Sequence, residues 1–216
     1  MLDAETIKKE LKKKSDKEKA KQLSRFFKTG KGQYGEGDIF LGITVPDQRK
    51  TAKLFNGTEL SEIEKLLDDP IHECRLTALL ILIDKYEHSD DNQKELIVNF
   101  YLKKTSRINN WDLVDLSAPK IIGDFYFSRN RDILYTLVQS NSLWEQRIAV
   151  VSTYNFIKRN DFTEIINFSE MLLDHKHDLI HKATGWMLRE AGKMDLSILK
   201  QFLDKNAAEG MNTNKI

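Results

Sequence analysis

The stretch Asn109-Asn110-Trp111-Asp112-Leu113-Val114-Asp115-Leu116-Ser117-Ala118 decides how this sequence is read, because three other stretches align with it without a gap. They are Asp69-Pro70-Ile71-His72-Glu73-Cys74-Arg75-Leu76-Thr77-Ala78, Asn141-Ser142-Leu143-Trp144-Glu145-Gln146-Arg147-Ile148-Ala149-Val150 and His175-Lys176-His177-Asp178-Leu179-Ile180-His181-Lys182-Ala183-Thr184. The register positions Arg75, Asp115, Arg147 and His181 are separated by 40, 32 and 34 residues. Two places later each copy has a small residue, Thr77, Ser117, Ala149 or Ala183, where helices can approach closely.

Outward from these segments, apolar periodicity predicts helices over 59–68, 71–87, 90–104, 111–127, 130–139, 143–159, 162–173, 178–192 and 195–205. Two helices per period of this length point to an all-α fold, an α-solenoid of HEAT-like helical repeats. No single pair can bury its apolar face, so stacked neighbours share one core. The second helices would line a concave face, with the register position near the start of each. The chain is expected to form a single domain over 1–216. Within it, 1–58 holds N-terminal helices and a glycine-rich loop, 59–205 the helical pairs, and 206–216 a frayed tail.

Composition agrees with that class. Only 10 glycines and 3 prolines occur in 216 residues, too few breakers for a strand-rich fold. Charged residues make up 31% and apolar ones 40%, as in a globular protein with a charged surface. No run approaches the roughly 18 apolar residues of a membrane span, and the start carries no apolar leader segment. A cytoplasmic protein is expected, with no membrane partner. The lone Cys74 rules out an internal disulfide and reads as a small buried residue. Net charge is only +1, but residues 1–28 carry ten Lys or Arg against five Asp or Glu. That face is either solvated or a phosphate contact.

Two helices are expected before the repeats, over 2–14 and 16–28. The apolar stripes Leu2, Ile7, Leu11 and Ala20, Leu23, Phe26, Phe27 mark them, with Ser15 as N-cap between. Thr29–Asp38 is glycine-rich but lacks the Gly-Lys-Ser/Thr ending of a phosphate loop. It reads as a flexible loop over a binding face, with Lys31 and Tyr34 as contacts. Pro46 suits the first turn of a helix carrying Arg49 and Lys50.

The register separates one residue from the rest. Arg75, Arg147 and His181 with Lys182 are basic or can be, whereas Asp115 is an acid. Trp111 precedes Asp115 by four residues, so the two share a helix face, and an aromatic plate beside a carboxylate suits something flat or cationic. Asp112 would point elsewhere. Asp115 reads either as a structural partner of Arg147 or as a catalytic carboxylate that Arg147 orients. Trp144 reads as core; Trp111 reads as core or groove; Trp186 falls where other copies have Leu80, Lys120 and Ser152. His175, His177 and His181 have spacing within reach of zinc but no supporting Cys or acid, and neither metal nor cofactor is expected.

Trp111-Asp112-Leu113-Val114-Asp115, Trp144-Glu145-Gln146-Arg147-Ile148-Ala149, Lys182-Ala183-Thr184-Gly185-Trp186-Met187-Leu188-Arg189-Glu190 and Phe40–Lys50 together resemble the AlkD-type DNA alkylation repair glycosylases. The resemblance runs in order over essentially the whole chain. It implies a HEAT-like repeat protein whose concave face binds duplex DNA containing alkylated purines and removes N3- and N7-alkylpurines without base flipping. It also implies Asp115 as the catalytic aspartate, Trp111 and Trp186 as groove tryptophans, Arg147 as groove arginine and Arg49 at the DNA backbone. Further phosphate contacts are expected from Arg147, Lys182, Arg189, Lys158 and Arg159, and Lys31 is expected as a contact from the reading of its loop, not from the resemblance. A monomer is expected, in the bacterial cytoplasm or nucleoid. No lysine nucleophile stands out, so lyase activity is not expected. The rival readings are a non-catalytic binder of bent or branched DNA on the same fold, and a protein-binding HEAT scaffold.

Overall fold

A computed structural model describes residues 2–208. Regular structure among the described residues is helical, apart from one isolated parallel bridge between Ile39 and Ile71. The helical stretches expected over 59–205 all occur, within a few residues at most ends. No helix among the described residues is long and apolar enough to cross a membrane. The chain divides into two compact units, one up to Leu113 and the other from Val114.

The first unit holds α1 (Ala4–Lys12), α2 (Lys17–Phe26), α3 (Val45–Leu54), α4 (Leu60–Leu67), α5 (His72–Glu87) and α6 (Asp91–Lys103). Its centre is α5, which packs against α1, α3, α4 and α6. Cys74, Leu76, Ala78, Leu79, Ile81 and Leu82 are all buried there, so α5 is apolar around most of its circumference. Each fully buried Leu or Ile contributes about 1.5–3 kcal/mol, and an Ile81→Ala truncation would cost about 2–5 kcal/mol. Burial also pushes the Cys74 thiol up to about 12.

Caps explain where the first helices start. Asp3 accepts from Thr6 N–H at 2.7 Å, and Thr44 caps α3 with Pro46 in its first turn. The residue that caps α2 is Asp16, not Ser15: its carboxylate accepts from the N–H groups of Glu18 and Lys19 at 3.0 and 3.1 Å. A carboxylate satisfies both amides and the positive end of the helix dipole, which a hydroxyl does less well.

The second unit holds α7 (Trp111–Ala118) from Val114 on, a π-helical turn over Pro119–Gly123, α8 (Asp124–Tyr126), α9 (Asp132–Val138), α10 (Leu143–Ile157), α11 (Thr163–Met171), α12 (Asp178–Met194) and α13 (Leu196–Ala208). The unbroken helix expected over 111–127 is thus widened by one turn where Pro119 lacks an N–H to donate. Here α10 is the central helix, packed against α9, α11, α12 and the π turn, and α13 packs on α12. The small register residues Thr77, Ser117, Ala149 and Ala183 are all fully buried, as close helix approach requires. The expected tail begins too early: 206–208 belong to α13, and 209–216 lie outside the described residues.

Candidate functional site

In the first unit, a buried charge cluster surrounds the entry to α7. Asp38, at the end of the glycine-rich segment, accepts from Arg75 Nη2 at 2.5 Å, from Asn110 Nδ2 at 3.1 Å and bonds His72 Nδ1 at 3.0 Å. The other ring nitrogen, His72 Nε2, faces Asp112 Oδ2 at 2.8 Å. Asn110 also accepts from the N–H of Trp111 at 2.8 Å. Burial alone would push His72 down, but hydrogen bonds to Asp112 and Asp38 overcome it and hold the imidazole up at about 9. Burial likewise pushes Asp38 up, and His72 and Arg75 more than reverse it, leaving Asp38 below the ordinary carboxylate range.

Rings continue the cluster. Phe40 stacks on His72 at 4.6 Å between centroids, Phe27 lies 5.1 Å from His72, and Phe27 stacks on Trp111 at 5.1 Å and 22°. Phe26 meets Trp111 edge-on at 5.8 Å and is 62% exposed. A cavity of about 370 Å³ opens beside these rings, bounded also by Leu23, Val45, Gln48 and Asp112. Two glycines let the backbone approach closely enough. A Cβ on Gly35 would lie 2.3 Å from the Phe27 carbonyl oxygen. Gly42 has φ +82°, and a Cβ there would lie 2.1 Å from that of Asp16. Glu73 secures the same segment by accepting from the N–H groups of Leu41, Gly42 and Ile43 at 2.8–3.2 Å.

In the second unit, Asp115 is half-buried on α7 and meets Arg147 of α10. Nε and Nη2 bond its two oxygens at 2.9 and 2.8 Å, and Nη1 donates to the Leu179 carbonyl at 2.5 Å. Arg147 is only 5% exposed. Trp186 of α12 is half-buried, 6.1 Å from Tyr154, and lines a cavity of about 560 Å³ with His181, Lys182, Arg189 and Leu199. Lys193 first, then Lys158 and the Trp186 side chain, hold the neighbouring Glu190 below its ordinary value.

A family profile described as DNA alkylation repair enzyme matches residues 7–215. The chain belongs to that family. Among solved structures it is similar to a "Predicted DNA alkylation repair enzyme from Enterococcus faecalis", with TM-score 0.69 and 17% identity over 89% of this chain and 90% of that one. That likeness is one of fold. No curated protein matches the sequence.

In this member of the DNA alkylation repair family, the expected cations behave differently from one another. Arg49 and Lys31 in the first unit, and Arg189 in the second, are exposed and pair with no carboxylate among the described residues. Lys158 lies 5.3 Å over the Tyr154 ring, Lys182 pairs with Asp178 at 2.6 Å, and Arg159 pairs with Asp124 at 2.7 Å. Arg75 does not offer a basic register position on a surface: it is buried against Asp38. Trp144 is half-buried, not core. The three histidines organise a turn. His175 Nδ1 accepts from the His177 N–H at 3.0 Å, His177 Nδ1 from the Leu179 N–H at 3.1 Å, and His181 Nε2 meets the His175 carbonyl.

Sequence reasoning overlooked Asp38, His72 and Asp112. One signal was present, since Ile71-His72-Glu73 puts two titratable residues at the start of an otherwise apolar helix. Nothing local shows that Asp38 returns to meet His72 from 34 residues away.

Proposed function

We propose that the protein is a monofunctional alkylpurine DNA glycosylase, hydrolysing the N-glycosidic bond of N3- and N7-alkylated purines in duplex DNA without flipping the base. The observation that carries this reading is the two-point grip of Arg147 on Asp115, which fixes a mostly buried carboxylate in direction. Family membership supplies the setting. An alkylated purine is already a cation and a good leaving group, so the general acid of ordinary glycoside hydrolysis is not needed. What needs stabilising is positive charge developing on the deoxyribose. Asp115 would supply that electrostatically and position water, since each carboxylate oxygen can accept more than one bond. Trp111 and Trp186 would add aromatic faces, each giving about 0.5–2 kcal/mol of cation–π attraction. Arg49, Lys31, Lys182, Arg189 and Lys158 would contact phosphates, Arg159 less so because Asp124 shares its charge.

A binding-only reading has one observation in its favour: both Asp115 oxygens are already bonded to a cation. One assay separates the two. Purified protein incubated with methylated duplex DNA should release free 7-methylguanine or 3-methyladenine, and Asp115→Asn should stop release while retaining DNA binding. Wild-type protein that binds such DNA and liberates no base would remove the enzyme reading.

A further inference from the structure

We propose that His72 is a positioning residue for excision, holding the Trp111 indole through the Asp38–His72–Asp112 clamp and the ring stack of Phe40, His72, Phe27 and Trp111. The proposal rests on the glycosylase reading above. Its basis is geometric. Both ring nitrogens of His72 face carboxylates, at 3.0 Å to Asp38 and 2.8 Å to Asp112. An ionised carboxylate only accepts, so both nitrogens donate and the ring is an imidazolium. One face of that cation lies against Phe40, and Phe27 links it to Trp111. Along the chain, Trp111 is bracketed by Asn110 and Asp112, tied to Asp38 and to His72 respectively. Backbone and ring plane of Trp111 are therefore both referred to one buried side chain, 2% exposed.

The charged groups facing His72 are Asp38 from the loop, Asp112 from α7 and Arg75 from its own helix. Glu73 and Lys19 border the adjoining cavity. A buried ion cluster of this kind is costly to desolvate and gives little net stability over an apolar filling. Directional control of the residue it brackets is what such a filling would lack.

The test is single-turnover release of 7-methylguanine from methylated duplex DNA, from about pH 6 to about pH 10, by wild type, H72Q and D112N. H72Q should slow release about tenfold near neutrality with DNA affinity unchanged, as expected for a misplaced aromatic wall. The wild-type-to-H72Q rate ratio, in which titration of the substrate cancels, should fall toward one as pH rises through about 9. D112N keeps an acceptor of the same shape but removes the charge facing His72 Nε2, so its own release rate should fall at a lower pH than that of wild type; this comparison with wild type decides alone should H72Q not fold. Variants with a lowered Tm but wild-type rates, or a ratio flat with pH, would show a structural residue only and overturn the proposal. A wild type that releases no base removes the glycosylase reading and this one together, whereas active wild type with indifferent variants removes only this one.

Discussion

Arg147 grips Asp115 with two parallel bonds, Nε to Oδ1 at 2.9 Å and Nη2 to Oδ2 at 2.8 Å, while its third nitrogen donates to the Leu179 carbonyl. Only the planar fork of a guanidinium makes that arrangement. Arg147→Lys should therefore behave poorly as a conservative change, with slower base release and little change in DNA affinity. Arg147→Ala should also lose about 2–4 kcal/mol of stability, because a mostly buried carboxylate is left without its partner. Thermal melts alongside single-turnover rates check both. An Arg147 needed for DNA affinity alone would instead raise Kd at an unchanged rate.

Asp115→Asn preserves shape and removes charge. Base release should fall at least about a hundredfold, the scale of losing a principal electrostatic contact in a transition state. Gel-shift affinity for the same duplex should hold or improve. A rate within a few-fold of wild type would put the reacting charge elsewhere.

Trp111→Ala and Trp186→Ala should each slow excision by about two- to thirtyfold, the range expected from loss of one cation–π face. Trp111→Phe should recover part of that loss, because a ring at 111 still stacks on Phe27. Unchanged single-turnover rates in both alanine variants would leave the tryptophans as packing.

The His72 clamp predicts a pH dependence of stability. Its folded value of about 9 lies above the ordinary 6.5, so the native state binds the extra proton between those values. The contribution is full below about 6.5 and is lost as pH rises through about 9, on the order of 3 kcal/mol. Asp38 has the opposite sign: it is depressed, and its contribution is lost as acid protonates it. Tm should therefore decline from near-neutral pH toward pH 9 in wild type, and this slope should be absent in His72→Gln. Parallel Tm curves for the two proteins would contradict the assignment.

Phosphate contacts predict salt dependence. Arg49→Ala and Arg189→Ala should each weaken duplex binding at low salt and lessen the slope of log affinity against log salt by about one. Arg75→Ala should do something different, destabilising the fold, because Arg75 is buried on Asp38. Unchanged salt slopes would place the DNA away from Arg49 and Arg189.

Periodicity carried most of the architecture, since a 3.6-residue apolar repeat is a local property that survives in one dimension. The buried small residues Thr77, Ser117, Ala149 and Ala183 were legible for the same reason. Of the residues expected at the site, the Asp115–Arg147 pair was visible because equivalent positions of adjacent repeats come together. Arg75 misled because it has the same register as Arg147, yet Asp38 reaches it from a segment outside the repeats. The His72 clamp was hidden likewise: Asp38, His72 and Asp112 lie 34 and 40 residues apart and share no motif. The glycine-rich segment looked flexible on composition alone. Gly35 and Asp38 instead anchor its end to the α2 terminus and the charge cluster, while Lys31 stays exposed.

Phe27 ends α2 and stacks on Trp111. Deletion mapping would consequently mislead in this protein. A shortened chain beginning after Lys28 keeps Trp111, Asp115, Arg147 and Trp186 in its sequence, yet Trp111 would stand there without its stacking neighbour. Loss of function in such a fragment would be mistaken for loss of DNA contacts from the lysine-rich start.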